Sequence, residues 1–242
     1  MYTGYERPFR TKQYRAELKL ISEYAPGRNL LDIGCATGWF LSEARKWGYR
    51  VVGLEPQESL VKVARKEVGK AAVVYGDINS SVIRRKKFDV VTLWSVLEHI
   101  GNSRGSLQRI NSVMPRGGVL AIRTPNSRGL LPQLSILFYK LSLGRISFPL
   151  KLILQMEFVS KHWYLFNRDN LTGFLRNAGY QIKEVGYSTS FDWQHLDEWF
   201  RGRKRRPAIV LLWAAKLAFT ANEIITRAFQ LQDDIIIIAV KV

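Results

Sequence analysis

LLDIGCATGWFL, residues 30–41, puts a carboxylate, two glycines and several small side chains directly after an apolar run. Asp32 stands at the end of that run, and Gly34 and Gly38 flank a turn into a second apolar segment. Glycine accepts positive φ and lets another group come close to the backbone. A helix starting beyond such a turn offers free N–H groups and a field that suits a carboxylate-bearing ligand. The spacing D-x-G-x-x-x-G is not the pyrophosphate fingerprint G-x-G-x-x-G, and it lacks the Lys-Ser/Thr of a phosphate loop. Two readings stay open here: a ligand held against the backbone, or a sharp strand-to-helix turn.

Working outward, short apolar runs alternate with helical periodicity from residue 28 to 123. Strands are expected at 29–33, 50–54, 71–75, 88–93 and 118–123, with helices at 38–47, 58–68 and 105–114. Leu60, Val63, Ala64 and Val68 recur on one helical face, as do Leu107, Ile110, Val113 and Met114. The strands are too apolar for exposure on one side, which points to an α/β fold with a mostly parallel sheet covered on both faces. Further on, 168–177 reads as a helix with Leu171, Phe174, Leu175 and Ala178 inward, and Gly179 as its stop. Residues 180–187 and IIIIAV at 235–240 read as strands, the latter buried. Residues 79–87 read as a short turn or helix carrying RRKK on a solvated face.

Two more acids end expected strands. Glu55 closes VVGLEP just before Pro56, and Asp77 follows VVYG just before Ile78. A carboxylate at the first position can accept both hydroxyls of a ribose; at the second it can accept from an adenine amino group, beside the Ile78 backbone. A solvated cap is the plain alternative for each. Three strand ends delivering Asp32, Glu55 and Asp77 to one edge are harder to ascribe to accident, because open parallel sheets bind ligands outside the carboxyl ends of their strands.

The run LLDIGCATGWF, followed by VVGLEP, YGDI, FDVVTLWSVLEHI and MPRGGVLAIRTPN, resembles the class I S-adenosylmethionine-dependent methyltransferases. It looks closest to the group that contains the ubiquinone-biosynthesis O-methyltransferases. The resemblance covers about 28–126 and extends more weakly through HWYLFNRDNLTGFLRNAGY at 162–180. It implies a Rossmann-like, seven-stranded, mostly parallel sheet in one domain over 1–242, with S-adenosylmethionine as cofactor. The last strand would insert antiparallel beside the fifth, leaving 180–187 outermost. Asp32, Gly34, Cys35 and Gly38 then form the cofactor turn, Glu55 and Pro56 the ribose side, Asp77 and Ile78 the adenine side, and Trp94 a wall near the methyl group. Cys35 fits the turn by its small volume.

Methyl transfer asks a protein to align nucleophile and methyl group, exclude water and keep the nucleophile deprotonated. His99, in VLEHI, and His162, before an aromatic run, are the candidate catalytic bases; His195 reads as structural or surface. In the resembled group a Glu-x-x-Glu-His pattern near the fourth strand has been linked to a divalent metal. Here Ser95 stands where the first acid would be, and no metal site is assigned.

Two long segments interrupt the alternation and exceed ordinary connections: an apolar insertion or lid at 124–160 and a basic and apolar insertion at 188–234. The second holds RGRKRR at 201–206 followed by PAIVLLWAAKLAFTA. A net charge of +17 over 242 residues draws anionic lipid, nucleic acid or acidic partners without choosing among them. Basic clusters beside apolar stretches favour a hydrophobic or lipid-like acceptor and contact with an anionic membrane surface. RNA methylation and a non-catalytic S-adenosylmethionine-binding protein are the alternatives. One cysteine leaves no intrachain disulfide and no window is apolar enough to span a bilayer, so a cytoplasmic protein, peripheral at the inner membrane face, is expected.

Overall fold

A computed structural model describes residues 7–83, 86–145, 162–189, 226 and 230–242. Much of both expected insertions, including RGRKRR, the apolar stretch after it and His195, lies outside the described residues, as do residues 84–85 of RRKK. The strands are β1 (Asn29–Ile33), β2 (Arg50–Glu55), β3 (Val73–Tyr75), β4 (Val90–Trp94), β5 (Val119–Pro125), β6 (Tyr180–Ser188) and β7 (Asp234–Lys241). They form one sheet in the order β3-β2-β1-β4-β5-β7-β6. Pairing is parallel through β5, and β7 runs antiparallel to both β5 and β6. This is the expected Rossmann-like sheet, with the last strand inserted beside the fifth.

The helices are α1 (Arg7–Tyr24), α2 (Trp39–Lys46), α3 (Glu58–Val68), α4 (Ser103–Ser112), α5 (Leu130–Leu141) and α6 (Arg168–Asn177). They cover both faces, and the strands supply both cores in alternation. In β7, Ile235 and Ile237 join Leu107, Ile110, Leu171 and Leu175 of α4 and α6. Ile236 and Ile238 turn the other way, to the core of α1, α2 and α3. That is why four consecutive isoleucines fit one strand: neither face meets water.

The differences from expectation are local. Residues 71–72 fall in a 3-10 turn, Lys70–Ala72, after Gly69 ends α3 at φ 83°, so β3 starts only at Val73. Helix α4 starts two residues early because the Asn102 side chain accepts from Gly105 N–H at 3.0 Å. Helix α5 was unannounced, since Pro132 reads as a breaker; it lies in the first turn, where its missing N–H costs nothing.

Helix α1 was also not expected. It buries Leu18 and Ile21, together with Glu17. The Glu17 carboxylate accepts from Arg123 Nη1 of β5 at 2.7 Å, with both side chains at most 3% exposed. Tyr24 donates to Glu184 of β6 at 2.7 Å, and Gln13 donates to Thr189 O at 2.9 Å. These contacts fix α1 over the carboxyl end of the sheet. Burial pushes the Glu17 carboxyl up, and the Arg123 guanidinium pulls it back.

Removing one member of that pair strands the other charge in the interior. Glu17→Ala is expected to cost about 3–5 kcal/mol in urea unfolding, and Glu17→Met with Arg123→Met to recover most of it. A single-variant loss below about 1 kcal/mol would show that the pair does not hold α1.

Candidate functional site

The chain leaves β1 through Gly34 at φ 72°, where an added Cβ would stand 2.5 Å from Val96 Cγ2. Gly34 and Cys35 both donate their N–H to Leu54 O of β2, at 2.8 and 2.9 Å. Ala36 follows at φ 46°, also left-handed, and its N–H donates to Glu55 Oε2 at 2.9 Å. Glu55 Oε1 accepts from Gln57 N–H at 2.9 Å. The turn and the second acid are therefore one unit. Gly38 opens α2, where a Cβ would lie 3.2 Å from both Ala64 Cα and Cβ. It borders neither cavity described below, and its place is explained by the close approach of α2 to α3. Cys35 is buried over Gly53, whose added Cβ would meet Cys35 Sγ at 2.6 Å. Burial raises its thiol well above the ordinary range.

A crevice of about 1330 Å³ runs along the carboxyl ends of β1, β2 and β4 and past the residues after β3. Gly34, Glu55, Pro56, Asp77, Ile78 and Trp94 border it. Asp77 is exposed and accepts from Asn79 N–H at 2.8 Å, while Ile78 is buried. Glu55 is buried; burial raises its carboxyl and the two main-chain donors lower it.

Asp32 sits apart from the other two acids. It borders a second cavity of about 280 Å³ that shares Gly34, Trp94, Ser95 and His99 with the first. Thr92 Oγ1 donates to Asp32 Oδ1 at 2.7 Å, and burial pushes this carboxyl up to about 8. Trp94 packs edge-on against Phe40, with ring centroids 5.1 Å apart, and Arg123 lies 5.4 Å from its ring centre. Beside it Ser95 takes φ 56°, a second non-glycine residue held left-handed at this edge. Such strain persists where surrounding contacts enforce it, and it gathers at ligand sites.

His99 and His162, some sixty residues apart in the chain, meet across this cavity with ring centroids 4.8 Å apart. Burial, with His99 alongside, pushes His162 down to about 4, so its imidazole is neutral at pH 7. Glu98 is 1% exposed, and burial pushes its carboxyl up to about 7. Among the described residues Glu98, His99 and His162 bring one ligand atom each within 4.8 Å of one another, an arrangement able to hold a metal ion.

Sequence reasoning passed over Thr92, Tyr14 and Arg123, which also shape this end. The signal for Arg123 was a lone charge inside the apolar strand VLAIRTP. Tyr14 stands four residues before Leu18 and seven before Ile21, on one helical face, but the helix itself had not been seen.

A family model described as "Methyltransferase domain" matches residues 5–185. Curated relatives include the ubiquinone biosynthesis O-methyltransferases of Rhodopseudomonas palustris, 28% identical over 103 residues, and of a Bradyrhizobium species, 30% identical over 104 residues. Each alignment covers 41% of this chain and 41% of the relative, so the chain spans about two-fifths of the length of the curated relatives it matches. A methyltransferase structure from Archaeoglobus fulgidus superposes with a TM-score of 0.57 at 21% identity, covering 98% of this chain and 97% of that one. Magnesium protoporphyrin IX methyltransferase from Synechocystis gives 0.58 at 14% identity, covering 100% and 89%. At such identities the structures speak for the fold alone. With the family model over three quarters of its length and the motif residues on the expected strand ends, the chain belongs to the class I S-adenosylmethionine-dependent methyltransferases and is related to the ubiquinone O-methyltransferase family.

Proposed function

We propose that this protein methylates an oxygen of a small hydrophobic or lipid-like acceptor, and that the acceptor's head enters the 280 Å³ cavity. The observation that carries this reading is the junction of the two cavities at Gly34, Trp94, Ser95 and His99. The larger crevice has the acids suited to a nucleoside, and the smaller one opens at the end away from Asp77. Its volume lies near the lower limit for a ligand pocket, about 300 Å³, and suits a single ring or short head.

S-adenosylmethionine supplies a methyl group already activated on a sulfonium. The chain's task is then alignment and exclusion of water. Glu55 and Asp77 offer acceptors to ribose and adenine, and Asp32 faces the positively charged end. Trp94 separates the two cavities and limits how the acceptor approaches. His99 and His162 flank the place for the acceptor hydroxyl, and the neutral His162 imidazole can take its proton.

The hydrophobic character of the acceptor has its own support. Leu131, Leu134, Leu137, Phe138 and Leu141 of α5 are exposed, as are Leu143 and the run Trp163–Leu165 at the cavity end of the sheet. Lys140 and Arg145 lie among them. Apolar side chains with interspersed cations suit the surface of an anionic membrane, where such an acceptor would reside. Among the described residues no helix is long and apolar enough to cross a membrane.

Four outcomes are expected. Labelled methyl from S-adenosylmethionine, incubated with protein and cell extract, should enter the organic-soluble fraction and not RNA or protein. Label in RNA would replace the acceptor reading, and no label would favour cofactor binding without transfer. Asp32→Asn keeps an acceptor for Thr92 and should weaken S-adenosylhomocysteine binding at least tenfold by calorimetry. The same variant tests the burial of Asp32. Its carboxyl is raised from about 4 to about 8, so the stability it contributes is full below pH about 4 and is lost as pH rises through about 8. In thermal melts without ligand, Asp32→Asn should therefore gain on the wild type as pH goes from 4 to 9. Finally, Leu137→Asp with Phe138→Asp should reduce co-sedimentation with anionic vesicles severalfold and leave S-adenosylhomocysteine affinity unchanged.

A further inference from the structure

Trp94 ends β4, and Arg123 of β5 lies beside it as its Cα partner in the parallel ladder. In-register residues of neighbouring strands project to the same face. Here that face is the one α1 covers. Arg123 Cζ stands 5.4 Å from the centre of the Trp94 ring, and both side chains border the 280 Å³ cavity. Arg123 is 3% exposed and Trp94 8%.

Among the described residues each carries a donor without an acceptor. Arg123 Nη1 donates to Glu17 Oε1 at 2.7 Å, while its Nε is buried with no hydrogen-bond partner. Trp94 Nε1 is in the same state. The rings of Trp94 and Tyr14 lie against the guanidinium, but its N–H groups point outward in its own plane, where a ring does not satisfy them. Burying a donor unpaired is costly, and native folds seldom keep two on one cavity wall without a ligand to satisfy them.

The charge around the cavity selects the kind of atom they would meet. Asp32, Glu98 and Asp234 border it with Arg10, and Arg123 is already paired with Glu17. Burial pushes the carboxyls of Asp32 and Glu98 up, so a further carboxylate is disfavoured there. An uncharged oxygen offers lone pairs to both donors and adds no charge.

We infer that the methyl acceptor carries a second, uncharged oxygen, of an ether or a ketone, on the same head as its hydroxyl, and that Arg123 Nε and Trp94 Nε1 donate to it. The inference deepens the proposed reaction and rests on it for the acceptor's place in the cavity. The two donors then choose among acceptors of equal size, which apolar walls alone do poorly. Glu17 serves that choice too, because by holding Nη1 it fixes the plane of the guanidinium.

The test compares 3-methoxyphenol with 3-ethylphenol, which are close in size and acidity and differ in the ether oxygen. Each is titrated by NMR into full-length protein saturated with S-adenosylhomocysteine. The indole N–H resonance of Trp94 is identified by its loss in Trp94→Phe. Expected are at least tenfold tighter binding of 3-methoxyphenol and a downfield shift of that resonance with this ligand alone. Trp94→Phe keeps a ring against Phe40, and Arg123→Lys keeps a cation for Glu17; in each the preference should fall to about threefold or less. A ratio of two ligands on one sample does not depend on the variant's stability. Equal binding of the two phenols to the wild type, binding of neither, or a preference that survives both variants overturns the inference. Affinities for S-adenosylhomocysteine and for 5′-methylthioadenosine, which lacks the amino-acid end, are measured on the same proteins. A loss confined to S-adenosylhomocysteine in both variants assigns the donors to the cofactor's carboxylate and also overturns it. A wild type that binds neither nucleoside overturns the methyltransferase reading, and the phenol comparison on the protein alone then still decides the two donors.

Discussion

At Gly34 the backbone leaves β1 in a left-handed conformation with Val96 pressed against the place where a side chain would be. A β-carbon there would meet both a steric clash and an unfavourable φ, so the turn has one solution. The rest of the carboxyl edge is built on it. The turn hangs from Leu54 O, sends the Ala36 N–H to Glu55 and starts α2 close enough to α3 that Gly38 touches Ala64. Glu55 is thus held by the loop it helps to fix. A ligand entering the crevice meets a carboxylate that is already oriented, which lowers the ordering cost of binding.

The neighbouring cavity is assembled by a different principle. One wall is the same β1 turn and the start of α2; the others come from α1, the ends of β4 and β5, and the segment at His162, which are distant in the chain. What binds them is a buried polar network: Glu17 with Arg123, Arg123 against Trp94 and Tyr14, and Thr124 with Glu98. Such a network tolerates little change, since each group depends on a partner from another element.

This division explains what could be read beforehand. The parallel sheet was legible because its strands are continuous apolar runs, and IIIIAV can only be a strand buried on both faces. The turn residues, Glu55 and Asp77 were legible because strand ends fix where a side chain emerges. Helix α1 was not, because its buried face includes Glu17, which reads as solvated until Arg123 is placed opposite it. Proximity of His99 to His162 was likewise invisible, since the hydrogen bonds that create it run through main-chain oxygens of Glu98 and Gly101. Asp32 was read correctly as a strand end, but the side of the sheet to which it points depends on β4 and Thr92 beside it.

The place of β7 has a consequence for how the protein comes into being. It pairs with β5 from Val119 to Pro125 on one side and with β6 on the other, yet it is translated last of the three. While the chain is growing on the ribosome, β5 has its parallel partner β4 and an open apolar edge, and β6 has no place to dock. An unpaired edge of this kind is a template for joining another chain. Until residues 234–241 emerge, that edge is the place where pairing with another chain can begin.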